Sequence, residues 1–349
     1  MKWMEKHPFG VTKNGEAMNI YVMENDAGMA AAVTPYGASL VYLLVPDKDG
    51  YRRDVVLGYN DVQGYEEDTV FFGATVGRNA NRIGGASVEI AGKTYKLTAN
   101  EFDNNLHSGL DFYNKRIWMV TAKDKNFITF ALVSPDGDQG FPGEAVIRVT
   151  YELTEDNTLK IIYNAKSTHD TVFNMTNHSY FNLNGHECGD VLNHVVKLDA
   201  DYYTRTDNHS IPTGELVDVT GTPMDFRQAK RLGDEIDSDY EAIVLGGGYD
   251  HNWVLKNDGK FAKVAEATGD LSGITMEVYT DLPGVQMYTG NFINGEKGKF
   301  MTEYGKRDGV CFETQYFPDA VHHENFKSPI CKKGEEYHSE TAYKFLIAK

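Results

Sequence analysis

A chain of 349 residues, 41% of them hydrophobic, is long enough to bury a substantial core and argues against disorder. Its formal net charge of -17 argues against a nucleic-acid partner, which calls for a basic stripe. The same charge disfavours phosphorylated substrates unless a local basic pocket overrides it, so a neutral small ligand fits best.

The elements read as a succession of short strands. Met18 to Glu24, Ala30 to Thr34 and Ser39 to Val45 are rich in β-formers, with a turn at Tyr36–Gly37. Asp61 to Asp68 reads as one of few helical turns, and Ser87 to Ile90 with Thr94 to Leu97 as a hairpin around Ala91-Gly92-Lys93. The run PDGDQGFPGE between Ser134 and Glu144 is a loop punctuated by Gly and Pro. Ala145 to Leu153 and Leu159 to Ala165 alternate apolar with mostly polar residues, so each presents one buried and one wetter face. Later strands are expected at His194 to Leu198, Ile274 to Thr280, Val285 to Thr289, Val310 to Phe317 and Tyr343 to Ala348. Asp225 to Ile236 is the best helix candidate, and Gly246-Gly247-Gly248 reads as a turn. No repeat or linker interrupts the pattern. It predicts an all-β protein, a large antiparallel sandwich or barrel formed as a single domain over 1–349.

Cys188, Cys311 and Cys331 are few, odd in number and without a CxxC pair, which points to reduced thiols and a cytoplasmic location rather than a disulfide framework or zinc site. The start MKWMEKHPFG lacks the apolar core of a signal peptide, and no stretch approaches transmembrane length.

The residues able to carry chemistry cluster in a few polar–aromatic stretches. Walker A, G-x-S-x-G, H-E-x-x-H and dinucleotide-fingerprint patterns are absent, which removes most support for redox, nucleotide and serine-hydrolase chemistry. Thr171 to Gly185, TVFNMTNHSYFNLNG, crowds amides and hydroxyls around His178 between Phe173, Tyr180 and Phe181, as a pocket for a sugar would. His178 is the one side chain there able to exchange a proton near neutral pH, although an amphipathic strand with a structural histidine also explains the run. Gly73 to Ile83 carries Arg78, Asn79, Asn81 and Arg82; an arginine fork suits a pair of sugar hydroxyls, while at least one of the two is expected to pair with an acid instead. His107 lies in a turn-like polar stretch. In Tyr249 to Trp253, Asp250 offers a bidentate acceptor and Trp253 a ring face, with turn duty for Asp250 as the competing account. Gln286 adds an amide in a strand. Glu313 is a carboxylate in an apolar strand, where burial would raise its pKa into a useful range for a base. His322-His323-Glu324 is not expected to hold a metal, because neighbouring strand residues face opposite ways.

Together these stretches resemble the aldose 1-epimerase (galactose mutarotase) family. The carriers are GRNANRI (Gly77 to Ile83), NLHSG (Asn105 to Gly109), PDGDQGFPG (Pro135 to Gly143), NHSYFNLNG (Asn177 to Gly185), YDHNW (Tyr249 to Trp253), DLPGVQMYTGNF (Asp281 to Phe292) and FETQYFPDA (Phe312 to Ala320), in the family's order across nearly the whole chain. The resemblance implies a β-sandwich of the galactose-mutarotase type and interconversion of α and β anomers of free aldohexoses such as glucose and galactose. It implies Glu313 as the base at the C1 hydroxyl, His178 as the acid at the ring oxygen, and Arg82, His107, Asp250, Asn81 and Gln286 as substrate-binding residues. No cofactor or metal is required, and the expected partner is the sugar alone, with no nucleic acid or membrane and a monomer or weak homodimer as the assembly. Ser108 departs from the family's usual glycine after this histidine, which bears on local loop shape. Three rivals differ in site chemistry. A glycoside hydrolase would pair Glu313 with a second carboxylate such as Asp250, a sugar-phosphate epimerase would need a basic site drawing on Arg78 and Arg82, and a non-catalytic sugar-binding sandwich would need no acid–base pair.

Overall fold

The computed structural model describes residues 4–347, and within them the chain is built from antiparallel sheets. A sheet of nine strands runs in the order Met119–Lys123, Phe127–Ser134, Ala145–Leu153, Thr158–Ser167, Glu336–Ile347, Ile274–Thr280, Ala262–Thr268, Val195–Leu198 and Lys230–Arg231. A sheet of six runs Tyr180–Phe181, Val310–Gln315, Gly284–Tyr288, Asp250–Leu255, Ala200–Thr206 and Pro212–Asp218. A sheet of five at the start of the chain joins Glu5–Val11, Ala17–Glu24, Ala30–Thr34, Ser39–Pro46 and Arg52–Asp54. Inward residues of all three meet in one hydrophobic cluster: Met23 and Leu43 from the first strands, Val149 and Phe345 from the nine-stranded sheet, Trp253 and Phe312 from the six-stranded one. The sandwich expected from alternation is present, because period-two patterning leaves each sheet one apolar face that only another sheet can cover.

The local expectations are met where pattern or turn chemistry was strong. Ala30–Thr34, Ala145–Leu153 and Ile274–Thr280 form as expected, and the Asp61 to Asp68 turn is the helix Val62–Glu67, capped by the Asp61 carboxylate accepting from the Gly64 N–H. The Asp225 to Ile236 helix is a correction. That stretch is irregular, with strand Lys230–Arg231 followed by a 3₁₀ turn at Leu232–Asp234. Its polar side chains bind locally, Asp225 holding Arg227 and Asp234 holding Arg231, and Asx-type bonding of this kind competes with a helical backbone. The helix lies just beyond it, at Glu241–Gly246. The expected last strand is the end of Glu336–Ile347, and its final residue, Ala348, lies outside the described residues. Among the described residues no helix is long and apolar enough to cross a membrane.

The six-stranded sheet supplies Asp250 and Glu313 to the site. Its register aligns Tyr180 with Cys311, Cys311 with Tyr288 and Tyr288 with Asp250; in the next row Glu313 lies beside Gln286 and Gln286 beside Asn252. Alternate residues share a face, so this side is polar, while Phe312, Val285, Met287 and Trp253 project into the core.

Candidate active site

One face of the six-stranded sheet forms the floor of a cavity of about 530 Å³, a volume in the range of small-molecule sites. Glu313 rises from the middle of the Val310–Gln315 strand and is 2% exposed. His178 ends the short strand Thr176–His178, which pairs with Ala74–Val76 and brings the GRNANRI stretch alongside. Its Nε2 lies 3.6 Å from a Glu313 carboxylate oxygen. The two residues, separated by most of the second half of the sequence, share one cavity.

The surroundings explain their electrostatics. The His178 ring is flanked by Phe71 and Tyr180, with ring centroids 5.8 and 5.0 Å away and both nearly parallel to it. Burial, opposed only in part by a backbone hydrogen bond, pushes its pKa down to about 4. Burial, reinforced by the negative charge of Asp250 and opposed by Arg82, holds Glu313 well above the usual carboxylate range. The Cys311 Sγ sits 3.5 Å from His178 Nδ1, leaving Nε2 to face Glu313.

His107 approaches from the other side. Asn105–Leu106 pairs with Arg82–Ile83, so the residue after Leu106 falls beside Asn81. The Asn81 N–H donates to His107 Nδ1 at 3.1 Å, and the His107 N–H donates to the Asn81 carbonyl at 3.0 Å. Burial first, then the neighbouring His178 and Arg82, holds His107 well below the ordinary imidazole pKa, so the ring is neutral. With the Nδ1 lone pair occupied, its one proton sits on Nε2, and His107 is a fixed hydrogen-bond donor. Ligand atoms of His107, His178 and Glu313 lie within 4.8 Å of one another, a spacing an ion could bridge. A neutral His107 whose one lone pair is already used suits a hydroxyl-binding site better than a metal centre.

Asp250 enters from the neighbouring strand. The helix Glu241–Gly246 ends on Gly247 in the left-handed region, and Gly248 follows at φ 140°, where a Cβ would lie 2.4 Å from Asn291 Oδ1. Asn291 in turn donates to the carbonyls of Gly246 and Tyr249, which fixes the entry to the strand. Asp250 accepts from Gln286 Nε2 at 2.7 Å and lines the cavity; burial raises its pKa against the opposing pull of Arg82 and Gln286. Gln286 stands behind Asp250, its own carbonyl accepting from Gln315, and does not line the cavity. Asn81 lines the cavity with φ 60°, a conformation asparagine tolerates.

Of the two arginines, only Arg82 lines the cavity, and it is also the one that pairs with an acid. Arg78 is fully buried and donates to the carbonyls of Pro142 and Gly143 and the hydroxyls of Thr171 and Ser134; it ties the PDGDQGFPG loop to the sheet. Arg82 lines the cavity but carries the acid partner, with Nε and Nη2 both bound to Glu101 at 2.6 and 2.9 Å. Its fork is therefore occupied. Ser108, in place of the expected glycine, adopts φ 62° and is held there by its hydroxyl, which accepts from the Asn79 N–H and donates to the Asn79 carbonyl.

The expected ring platform at Trp253 is a correction. Trp253 is fully buried and its Nε1 donates to the Met224 carbonyl, because strand alternation sends it to the core when Asp250 and Asn252 face the site. The aromatic walls are Phe71, Tyr288 and the exposed Phe292, with Phe102 and His209 meeting edge-to-face at the rim. Phe71 was not singled out from sequence, and no local motif marks it. His322 and His323 both reach Asp319, at 2.6 and 3.4 Å, since they lie in a turn and not on a strand as assumed.

Residues 19–344 match the family model for aldose 1-epimerase. The chain belongs to the aldose 1-epimerase family. It is 40% identical to galactose mutarotase of Bos taurus over 317 residues, covering 90% of this chain and 91% of that protein. It is 36% identical to aldose 1-epimerase of Escherichia coli strain K12, covering 95% and 96% of the two. Among solved structures, an aldose epimerase homologue from C. elegans superposes with a TM-score of 0.89 at 29% identity, covering 95% of this chain and 100% of that one. Galactose 1-epimerase from Lactobacillus acidophilus superposes at 0.87 and 28%, covering 99% of each chain. The sheets of this aldose 1-epimerase family member are those of galactose mutarotases.

Proposed function

We propose that the protein is an aldose 1-epimerase that interconverts the α and β anomers of free hexoses such as glucose and galactose, with Glu313 as base and His178 as acid. The observation that carries the reading is the buried contact between His178 Nε2 and Glu313 at 3.6 Å in a cavity of sugar size. Anomer exchange takes a proton from the C1 hydroxyl and delivers one to the ring oxygen attached to the same carbon. An acid and a base must therefore work within one small volume. Glu313 accepts the C1 hydroxyl proton as the C1–O5 bond breaks, and the imidazolium of His178 protonates O5. The open aldehyde rotates about C1–C2, and closure with the roles reversed delivers the other anomer. Overall no electron leaves the sugar and no water is consumed. His107 as a fixed donor, Asp250 as an acceptor and Arg82 as a cation are placed to hold ring hydroxyls, with Asn81 fixing His107 and Gln286 fixing Asp250.

The rival chemistries find less support. Among the described residues Arg82 is the one lysine or arginine lining the cavity, and Glu101 neutralises it, so they offer no basic cradle for a phosphate. A histidine stands 3.6 Å from Glu313, an acid–base pair of the kind that favours epimerisation over the two-carboxylate chemistry of glycoside hydrolysis. The test is polarimetry on freshly dissolved α-D-glucose and α-D-galactose. The protein is expected to speed the approach to the anomeric equilibrium without moving its position, and a rate equal to the uncatalysed one overturns the reading.

A further inference from the structure

Glu101 sits in the turn before the His107 stretch, and no role in the reaction has been attached to it so far. The turn is closed by the Asn104 N–H donating to the Glu101 carbonyl at 2.9 Å, and it is tied back to the Arg82 segment by the Gly85 N–H donating to Asn104 Oδ1 at 3.0 Å. Both ends of the Arg82–Glu101 contact are therefore fixed in the backbone before the side chains meet. The two parallel bonds use Nε and Nη2 and hold the guanidinium plane in one orientation. Among the described residues, Nη1 has no protein partner, and Arg82 lines the cavity.

Asp250 and Glu313 are the other acids whose charge acts on Arg82. Without Glu101, nothing would keep the guanidinium from turning onto one of them, where it would occupy the space or the acceptor that the sugar needs. We infer that Glu101 is a positioning residue for substrate binding: it clamps Arg82 so that one nitrogen, Nη1, is presented to the sugar and the guanidinium stays off Asp250 and Glu313. The inference rests on the epimerase reading for its substrate, and on the observed clamp for its mechanism.

The clamp predicts a loss confined to sugar binding and routed through Arg82. Initial rates by polarimetry over a range of α-D-galactose and α-D-glucose concentrations should give Glu101→Ala and Glu101→Gln a KM raised about tenfold or more with kcat within about threefold. Glu101→Asp, which keeps the carboxylate, should recover part of the loss. In a double-mutant cycle, Glu101→Ala added to Arg82→Ala should change KM no further than Arg82→Ala alone. A wild-type KM in Glu101→Gln, or a full additional loss in the Arg82→Ala background, overturns the clamp. Should Glu101→Ala fail to fold, the near-isosteric Gln and Asp variants decide. Calorimetric titration of the same variants with galactose separates the two readings. A wild type that binds sugar without accelerating mutarotation removes the epimerase reading, while weakened binding in the Glu101 variants still supports the clamp and unchanged binding still overturns it.

Discussion

At the scale of single residues, the proposed chemistry turns on two groups that burial drives toward their uncharged forms. Glu313 is held well above the usual carboxylate range and His178 down to about 4, so a single proton shared by the pair favours the carboxyl group over the imidazole. The working form moves that proton to the imidazole and leaves a carboxylate; the proton count is unchanged, and no exchange with solvent is needed. The sign of the pH dependence follows. As pH falls through about 4, His178 gains a second proton for the pair and the base is lost. As pH rises above the elevated Glu313 value, the shared proton leaves and the acid is lost. A bell-shaped kcat/KM profile is expected, with its acid limb well below the ordinary histidine pKa of about 6.5. An acid limb at that ordinary value would show that His178 titrates as a solvated ring. Glu313→Gln and His178→Asn should each lower kcat by about 10²–10⁴-fold while thermal unfolding stays cooperative, and near-wild-type turnover in either would remove that residue from the mechanism.

At the scale of an element, strand parity decides which polar residues reach the sugar. In Asp250–Leu255, Asp250 and Asn252 share the face that carries Gln286 and Glu313, and Trp253 points to the opposite side. The strand therefore divides into residues that bind and residues that stabilise. Asp250→Ala should raise KM with little change in melting temperature. Trp253→Ala should cost about 3–5 kcal/mol of stability, as a large cavity in a core does, with KM close to wild type at temperatures where the variant is folded. Chemical denaturation and steady-state polarimetry on both variants check this, and a large KM change in Trp253→Ala would contradict the assignment of faces. The same logic makes Arg78 structural. Full burial and four neutral acceptors commit its donors to a loop, although by sequence it is as good a sugar ligand as Arg82.

At the scale of the whole molecule, the chain carries a net charge of -17, and the single lysine or arginine that lines the cavity among the described residues is paired. A neutral hexose has no long-range electrostatic interaction with that field. Its kcat/KM should stay within about twofold between roughly 0.05 and 0.5 M NaCl, a range that shortens the Debye length severalfold. A steep fall with salt would instead indicate a charged substrate. The antiparallel sandwich also explains why the site can be assembled from distant segments. The six-stranded sheet supplies Asp250 and Glu313, and two short strand pairs, Thr176–His178 with Ala74–Val76 and Asn105–Leu106 with Arg82–Ile83, bring His178 and His107 over it although the four are widely spaced in sequence.

The sequence by itself determined the all-β class, the positions of its strongly alternating strands, the family resemblance and the two groups proposed as acid and base. These follow from period-two patterning, from turn residues and from ordered motifs, all of which are local and linear. The tertiary structure alone decided what the Arg78 donors hold, which aromatics wall the cavity and which acid pairs with Arg82. Phe71 and Glu101 stand in no motif of their own, Phe292 only closes the DLPGVQMYTGNF stretch, and Glu101 is one acid among 51 Asp and Glu residues in the chain. Their roles come from contacts between segments far apart in the chain, and Trp253 was misread because a side chain's face depends on strand register, which only pairing with the neighbouring strands fixes.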